Sequence, residues 1–160
     1  PAGVQRINVE SAEQMLVTAL EVAPSTDIFI GAAAVADYRP VAVADQKIKK
    51  GQEELMELRL VKNPDIIASV SALPNRPFTV GFAAETENVL TYARSKLERK
   101  SLDLVIANDV SQSGIGFNAD ENEVTLVSTA GDFKLPRDSK HSLAQTLIEQ
   151  IAELMGANEH

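Results

Sequence analysis

The chain has no cysteine, no tryptophan, two histidines and an aromatic content of 4%. Without cysteine there are no disulfides, thiolate nucleophiles or thiolate-bound metals. His141 and His160 do not have the spacing of a metal-binding pair. Glycine is also sparse, at 8 residues. No Gly-x-Gly-x-x-Gly fingerprint, Gly-Lys-Ser/Thr phosphate loop or Gly-x-Ser-x-Gly elbow forms, and Gly114-Ile115-Gly116 is only a weak fragment of a glycine loop. No run approaches the roughly 18 apolar residues of a transmembrane helix, and the first residues have neither a basic start nor an apolar signal run. Positive charge is in deficit, with 15 Lys and Arg against 23 Asp and Glu, a net charge of -8 and a pI near 4.8. A field of that sign disfavours nucleic acid as the main partner, yet local lysines can still hold a nucleotide. The expectations are no membrane, no nucleic acid and a cytoplasmic setting.

What is present is an alternation of strand and helix patterns over 160 residues, 44% of them hydrophobic. That length fits one domain. Residues 4–9 read as a strand or the tail of one. Ser11 is a plausible N-cap for a helix with Ala12, Met15, Leu16, Ala19 and Leu20 on one face, ended by Pro24. Ile28-Phe29-Ile30 reads as a parallel strand covered on both faces. Residues 55–61 alternate in part and predict a strand with one apolar face. Asn63 is the expected cap and Pro64 the first turn of a short helix over residues 65–72, burying Ile66, Ile67 and Val70. Residues 77–82 form the next strand, 87–100 a helix, and 102–107 a buried strand ending in Asn108-Asp109. Residues 111–120 read as a loop, 123–128 and 132–135 as a hairpin. An amphipathic helix over 139–154 carries Leu143, Leu147, Ile148 and Ile151. This rhythm predicts an α/β, Rossmann-like, mostly parallel sheet with helices on both faces and a late antiparallel hairpin. Such a domain usually opens with strand, glycine-rich turn and helix. That unit is missing before Pro1, so the expectation is one domain over residues 1–160, truncated at its N-terminus.

The chemistry gathers in residues 26–50, TDIFIGAAAVADYRPVAVADQKIKK. A buried strand runs into the small residues Gly31, Ala32 and Ala33, then Asp37, then the lysines 47, 49 and 50. Small residues permit close packing or give a base or sugar access to backbone. Asp37 is a surface carboxylate, a ribose acceptor or an indirect Mg²⁺ partner. Val41, Val43 and Ile48 would anchor the segment. The lysines are a solvated charge run or a polyphosphate site. Lys96 and Lys100, four apart, share a helix face. Asn63, Pro64 and Asp65 are a helix start first and a ligand site second. Phe82 is core or a stacking platform, and Asn108-Asp109 ends a strand where a crevice would lie.

AAVADYRP at 33–40, KIKK at 47–50, VKNPDI at 61–66, VGFAAET at 80–86, ANDVS at 107–111 and GFNADENEV at 116–124 resemble the bacterial phosphopantothenate–cysteine ligases, the ligase half of a bifunctional coenzyme A biosynthesis protein. LPRDSKHSLAQTLIEQI at 135–151 is similar to that family's last helix. The resemblance implies a dimer that uses CTP and Mg²⁺. Phosphopantothenate is activated as an acyl-cytidylate with loss of pyrophosphate, and L-cysteine then displaces CMP. It implies CTP contacts at Gly31, Ala32, Ala33, Asp37, Lys47, Asn63, Pro64, Asp65, Ile66, Phe82, Lys96 and Lys100. Lys47 falls in a mobile flap tied to forming the intermediate and is the expected catalytic residue; no metal ligand is assigned. The family's first strand, glycine-rich turn and an asparagine that helps hold the intermediate precede Pro1 in that pattern. Fusion to a flavin-dependent decarboxylase half is expected in the full protein. A catalytically inactive nucleotide-binding or oligomerisation fragment and a nicotinamide-dependent oxidoreductase are the alternatives. The second lacks its glycine fingerprint and its ribose-binding acid.

Overall fold

Helix α1 (Ala12–Val22) is fixed at its start by a reciprocal cap. The Gln14 N–H donates to Ser11 Oγ at 3.1 Å, and Gln14 Oε1 accepts from the Ser11 N–H at 3.2 Å. The computed structural model describes residues 3–43, 46–48, 56–111 and 119–157. After α1 and a short 3₁₀ turn at Ala23–Ser25 come strand β1 (Ile28–Gly31), β2 (Tyr38–Pro40), β3 (Leu60–Lys62), α2 (Ile66–Ser71), β4 (Phe78–Glu85), α3 (Val89–Arg99), β5 (Leu104–Asp109), β6 (Glu121–Ser128), β7 (Gly131–Ser139) and α4 (Lys140–Ala157).

The main sheet has the order β1-β4-β5-β6-β7. β1, β4 and β5 are parallel; β5, β6 and β7 are antiparallel. Period-two alternation divides the sheet's side chains between two helical layers. Val80, Leu104, Ile106, Val124, Leu126 and Leu135 pack under α4 with Leu143, Leu147 and Ile151. On the other face, Ala83, Val105, Ala107 and Val127 pack under α3 with Ala93 and Leu97. A third cluster joins α1 to α2 through Ala19, Ala23, Ile66 and Val70, with Phe29 against it. Burying a side chain such as Leu104 or Ile106 is worth about 1.5–3 kcal/mol each. The Rossmann-like α/β architecture expected from the strand–helix rhythm, with helices on both faces and a late hairpin, is therefore what the chain adopts.

The layers are close where glycine allows. A Cβ on Gly81 would lie 2.8 Å from Leu102 Cδ1 and 3.2 Å from Ile67 Cδ1. Gly81→Ala is expected to destabilise the protein by about 1–3 kcal/mol, the usual cost of overpacking. A chemical-denaturation midpoint equal to that of the wild type would contradict this.

Several local expectations need correction. Residues 4–9 are irregular and almost wholly exposed, because no described strand lies beside them to complete a ladder. β1 has one described neighbour, β4, so Ile30 stays partly exposed instead of being covered on both faces. The strand expected over 55–61 is the short β3, displaced to Leu60–Lys62. It pairs antiparallel with β2, a strand the aperiodic sequence after residue 38 did not announce. Residue 55 lies outside the described residues, as do Lys49 and Lys50 of the lysine run and most of the loop at 111–120. Val41, Val43 and Ile48 are all exposed, so they anchor the segment to no core among the described residues. Ile148 is exposed too, because the buried stripe of α4 runs through Leu143, Leu147 and Ile151 at steps of one turn. β7 continues through Pro136, which an edge strand tolerates. No helix among the described residues is long and apolar enough to cross a membrane.

Candidate functional site

The parallel strands β1, β4 and β5 end at Gly31, Glu85 and Asp109, and the chemistry-bearing side chains collect beside these carboxyl ends. β4 leads into α3 through a turn whose last residue, Asn88, is left-handed (φ 48°) and caps nothing with its side chain. α3 then returns along the sheet and carries Lys96, with Lys100 one turn further on at its C-cap, as their spacing predicts.

Lys100 Nζ pairs with Asp65 Oδ2 at 2.8 Å, and the Ser71 hydroxyl donates to the Lys100 carbonyl at 2.5 Å. Lys96 is half-buried and donates to the Phe82 carbonyl. An ammonium has three donors, so two remain without a partner among the described residues. Burial pushes the Lys96 pKa down and the charge of Lys100 adds to this, while Asp65 and Glu85 pull it back up. Burial alone would raise the Asp65 pKa. The hydrogen bond from Lys100, the Ala68 N–H and the two lysine charges outweigh it and hold the carboxyl below its ordinary value. Two cations thus stand against Asp65 and Glu85, and only Lys100 has a carboxylate in contact.

Asp65, not Asn63, is the N-cap of α2, and Asp65 Oδ1 accepts from the Ala68 N–H at 3.2 Å. Asn63 has a different task, because its backbone is still bound to the segment before β2. Its N–H donates to the Asp37 carbonyl at 2.7 Å, and its Nδ2 donates to the Ala36 carbonyl at 2.8 Å. Its Oδ1 accepts from Arg39 Nη1 at 3.0 Å. The NPD stretch is thereby tied to the GAA–Asp37 stretch. Arg39 was missed as a member of this group; its place beside Asp37 in the ADYR run was the available signal.

Asp65→Ala is expected to cost about 0.5–2 kcal/mol, the range for losing an N-cap carboxylate. Asp65 has a depressed folded pKa. Its contribution is therefore present above the unfolded value and lost as pH falls through the folded one. The gap in Tm between wild type and variant should narrow in acid. A gap constant from pH 7 to pH 2 would contradict the assignment.

The other expected site residues fall as follows. Gly31 ends β1 beside Ile67, whose Cδ1 a Cβ on Gly31 would meet at 2.9 Å. Ala32, Ala33 and Asp37 are exposed beyond it. Pro64 is half-buried before the cap, and the Ile66 side chain is buried between α1 and α2, which leaves only its backbone for a ligand. The Phe82 side chain packs toward α4, on the face away from the lysines, and only its carbonyl meets Lys96. Of the two readings the sequence left open for Phe82, core and stacking platform, the ring takes the core one. Lys47 is exposed in irregular backbone between β2 and β3 and contacts none of these groups among the described residues. No group of three His, Asp or Glu side chains suited to a metal occurs among the described residues.

An open, mostly parallel sheet with helices on both faces and a lysine–carboxylate cluster at its carboxyl ends defines a Rossmann-like α/β domain. Residues 1–155 match the family described as the DNA/pantothenate metabolism flavoprotein C-terminal domain, and the chain belongs to that family. It is 54% identical over 158 residues to the coenzyme A biosynthesis bifunctional protein CoaBC of Vibrio vulnificus (strain YJ016), covering 98% of this chain and 39% of that protein. It is 49% identical over 154 residues to the protein of the same name from Escherichia coli (strain K12), covering 94% and 38%. The solved C-terminal domain of a CoaBC protein superposes with a TM-score of 0.77 at 31% identity, covering 98% of this chain and 71% of that one. The chain thus spans about two fifths of the length of the curated relatives it matches.

Proposed function

We propose that the chain is the ligase part of a bifunctional coenzyme A biosynthesis protein, joining 4'-phosphopantothenate to L-cysteine at the expense of CTP. The observation that carries this reading is the 54% identity to CoaBC across almost the whole chain. The cluster at the strand ends supports it with suitable chemistry.

In the first step a carboxylate oxygen of phosphopantothenate bonds to the α-phosphorus of CTP, and the bond from that phosphorus to the bridging oxygen breaks, releasing pyrophosphate. In the second the amine of cysteine bonds to the acyl carbon, the acyl–oxygen bond breaks, CMP leaves, and the amine proton passes to solvent. Negative charge builds on the phosphoryl oxygens in the first step, and preplaced cations lower its barrier. Lys47 is assigned to the α-phosphate, with Lys96 and Lys100 on the outer phosphates. Lys96 fits because two of its donors have no partner among the described residues and need no such bond broken before they meet an anion. Gly31, Ala32, Ala33 and Asp37 are assigned to ribose and base, with Asn63, Pro64, Asp65, Ile66 and the Phe82 carbonyl enclosing the nucleotide. Asp37 is assigned as an indirect partner of a Mg²⁺ that would take its ligands from phosphate and water and neutralise phosphate charge.

The partners in this reading are a second copy of the chain, a fused flavin-dependent decarboxylase half, and a cytoplasmic setting. The second copy is supported by the ribbon around β2 and β3. Tyr38, Val41, Val43, Met56, Leu58, Leu60 and Val61 are all exposed there, an apolar surface of the kind that protein partners cover.

The test is a thermal-shift comparison of CTP with Mg²⁺ against NAD on the full-length protein. At a hundred times its Kd, CTP should raise Tm by about 5–10 °C, and NAD should leave it unchanged. Protection by NAD without protection by CTP would favour the oxidoreductase alternative and overturn the proposal.

A further inference from the structure

Asn108 stands out at the carboxyl end of β5. Its Oδ1 is buried and has no hydrogen-bond partner among the described residues. A buried acceptor left unmatched has lost its water without a replacement, so native proteins rarely keep one without a use. Its strand neighbours cannot match it, because it lies opposite Ala84 on β4 and Val124 on β6, whose side chains have no donor. Alternation along β5 places it in line with Leu104 and Ile106, which belong to the apolar cluster under α4. A leucine would continue that column without the penalty. The position is instead polar where the column reaches the edge of the sheet, beside the exposed Ala84 and one residue from Asp109. Ligands of open α/β sheets bind along that edge.

We propose that Asn108 is a specificity-determining residue whose Oδ1 accepts a hydrogen bond from an amine N–H of a bound substrate. The inference rests on the ligase reading, which brings two such amines to the site, the exocyclic amine of cytosine and the α-amine of cysteine. Either supplies a donor to an acceptor with none among the described residues, and a substrate lacking the amine leaves that acceptor buried and unmatched. This kind of mismatch discriminates strongly between substrates.

The experiment compares wild type, Asn108→Leu and Asn108→Asp in the full-length protein, with KM measured separately for CTP, phosphopantothenate and cysteine, and with Tm measured without substrates. Asn108→Leu should keep or raise Tm and raise the KM of one amine substrate about tenfold, leaving that of phosphopantothenate unchanged. Asn108→Asp, which retains an acceptor, should recover most of that loss. A rise confined to CTP, with weakened rejection of UTP, assigns the cytosine amine; a rise confined to cysteine assigns the cysteine amine. Unchanged KM values, or a lowered Tm with all three KM values rising together, would show a structural group and overturn the inference alone. No turnover by the wild type would overturn the ligase reading and the inference with it.

Discussion

Lys47→Gln is expected to slow formation of the cytidylate by about 10²–10³-fold, the usual effect of removing one preplaced donor from a developing negative charge. Tm should not change. Lys47 is exposed, lies in irregular backbone and contacts no other site residue among the described ones, so the fold loses nothing with its charge. The effect should fall on the chemical step. On the proposed assignment Lys47 acts on the α-phosphate of bound CTP, so its loss is read in the step that forms the intermediate. Single-turnover measurement of cytidylate formation at saturating CTP reads this directly. An unchanged rate in the variant would remove Lys47 from the mechanism.

Lys96→Met is the second large effect, and it should separate binding from stability. The variant should lose about two orders of magnitude in kcat/KM for CTP, in the range for removing one member of a desolvated charge pair. Its stability at pH 7 should hold or increase. Methionine keeps the apolar stem that packs between α3 and β4 and removes an ammonium whose burial opposes its charged state. The sign follows from linkage. A lysine whose folded pKa lies below its unfolded value of about 10.4 leaves the unfolded chain binding more protons in that window, so wild-type stability rises with pH there. Lys96→Met should lack that rise. Melts from pH 7 to 10 together with CTP titrations check both halves. CTP affinity equal to that of wild type would contradict the role, as would a large drop in Tm at pH 7.

Much of the fold was legible because periodicity encodes burial. The compact apolar runs of β4 and β5 and the stripes of α1, α3 and α4 are set by contacts within this chain, so their patterns survive in the sequence. The region of residues 38–62 was not legible for the opposite reason. Tyr38, Val41, Val43, Leu58 and Leu60 are apolar but exposed, facing no core among the described residues, so no period marks which side is inside. The site divides in the same way. Lys96 and Lys100 could be placed together because a helix fixes residues four apart on one face. Asp65 took the capping role expected of Asn63 because both are good caps. The choice was made by a long-range contact, the Asn63 side chain binding Ala36 and Arg39 across the ribbon, and local propensity does not register such contacts. Phe82 was ambiguous until the strand's parity was known, and that parity sends its ring toward α4. Asn108 was visible only as the end of a buried strand. That its Oδ1 has no donor among the described residues depends on Ala84 and Val124, neighbours supplied by two other strands.

The central claim is that this domain activates the carboxylate of phosphopantothenate with CTP. The most direct measurement follows pyrophosphate released by the full-length protein with CTP and Mg²⁺, with phosphopantothenate and cysteine added or withheld in turn. The account predicts release that requires phosphopantothenate, stops near one equivalent per site when cysteine is withheld, and becomes continuous, with CMP and phosphopantothenoylcysteine formed in equal amounts, when cysteine is added. Absence of pyrophosphate under all conditions, or release indifferent to phosphopantothenate, would contradict it.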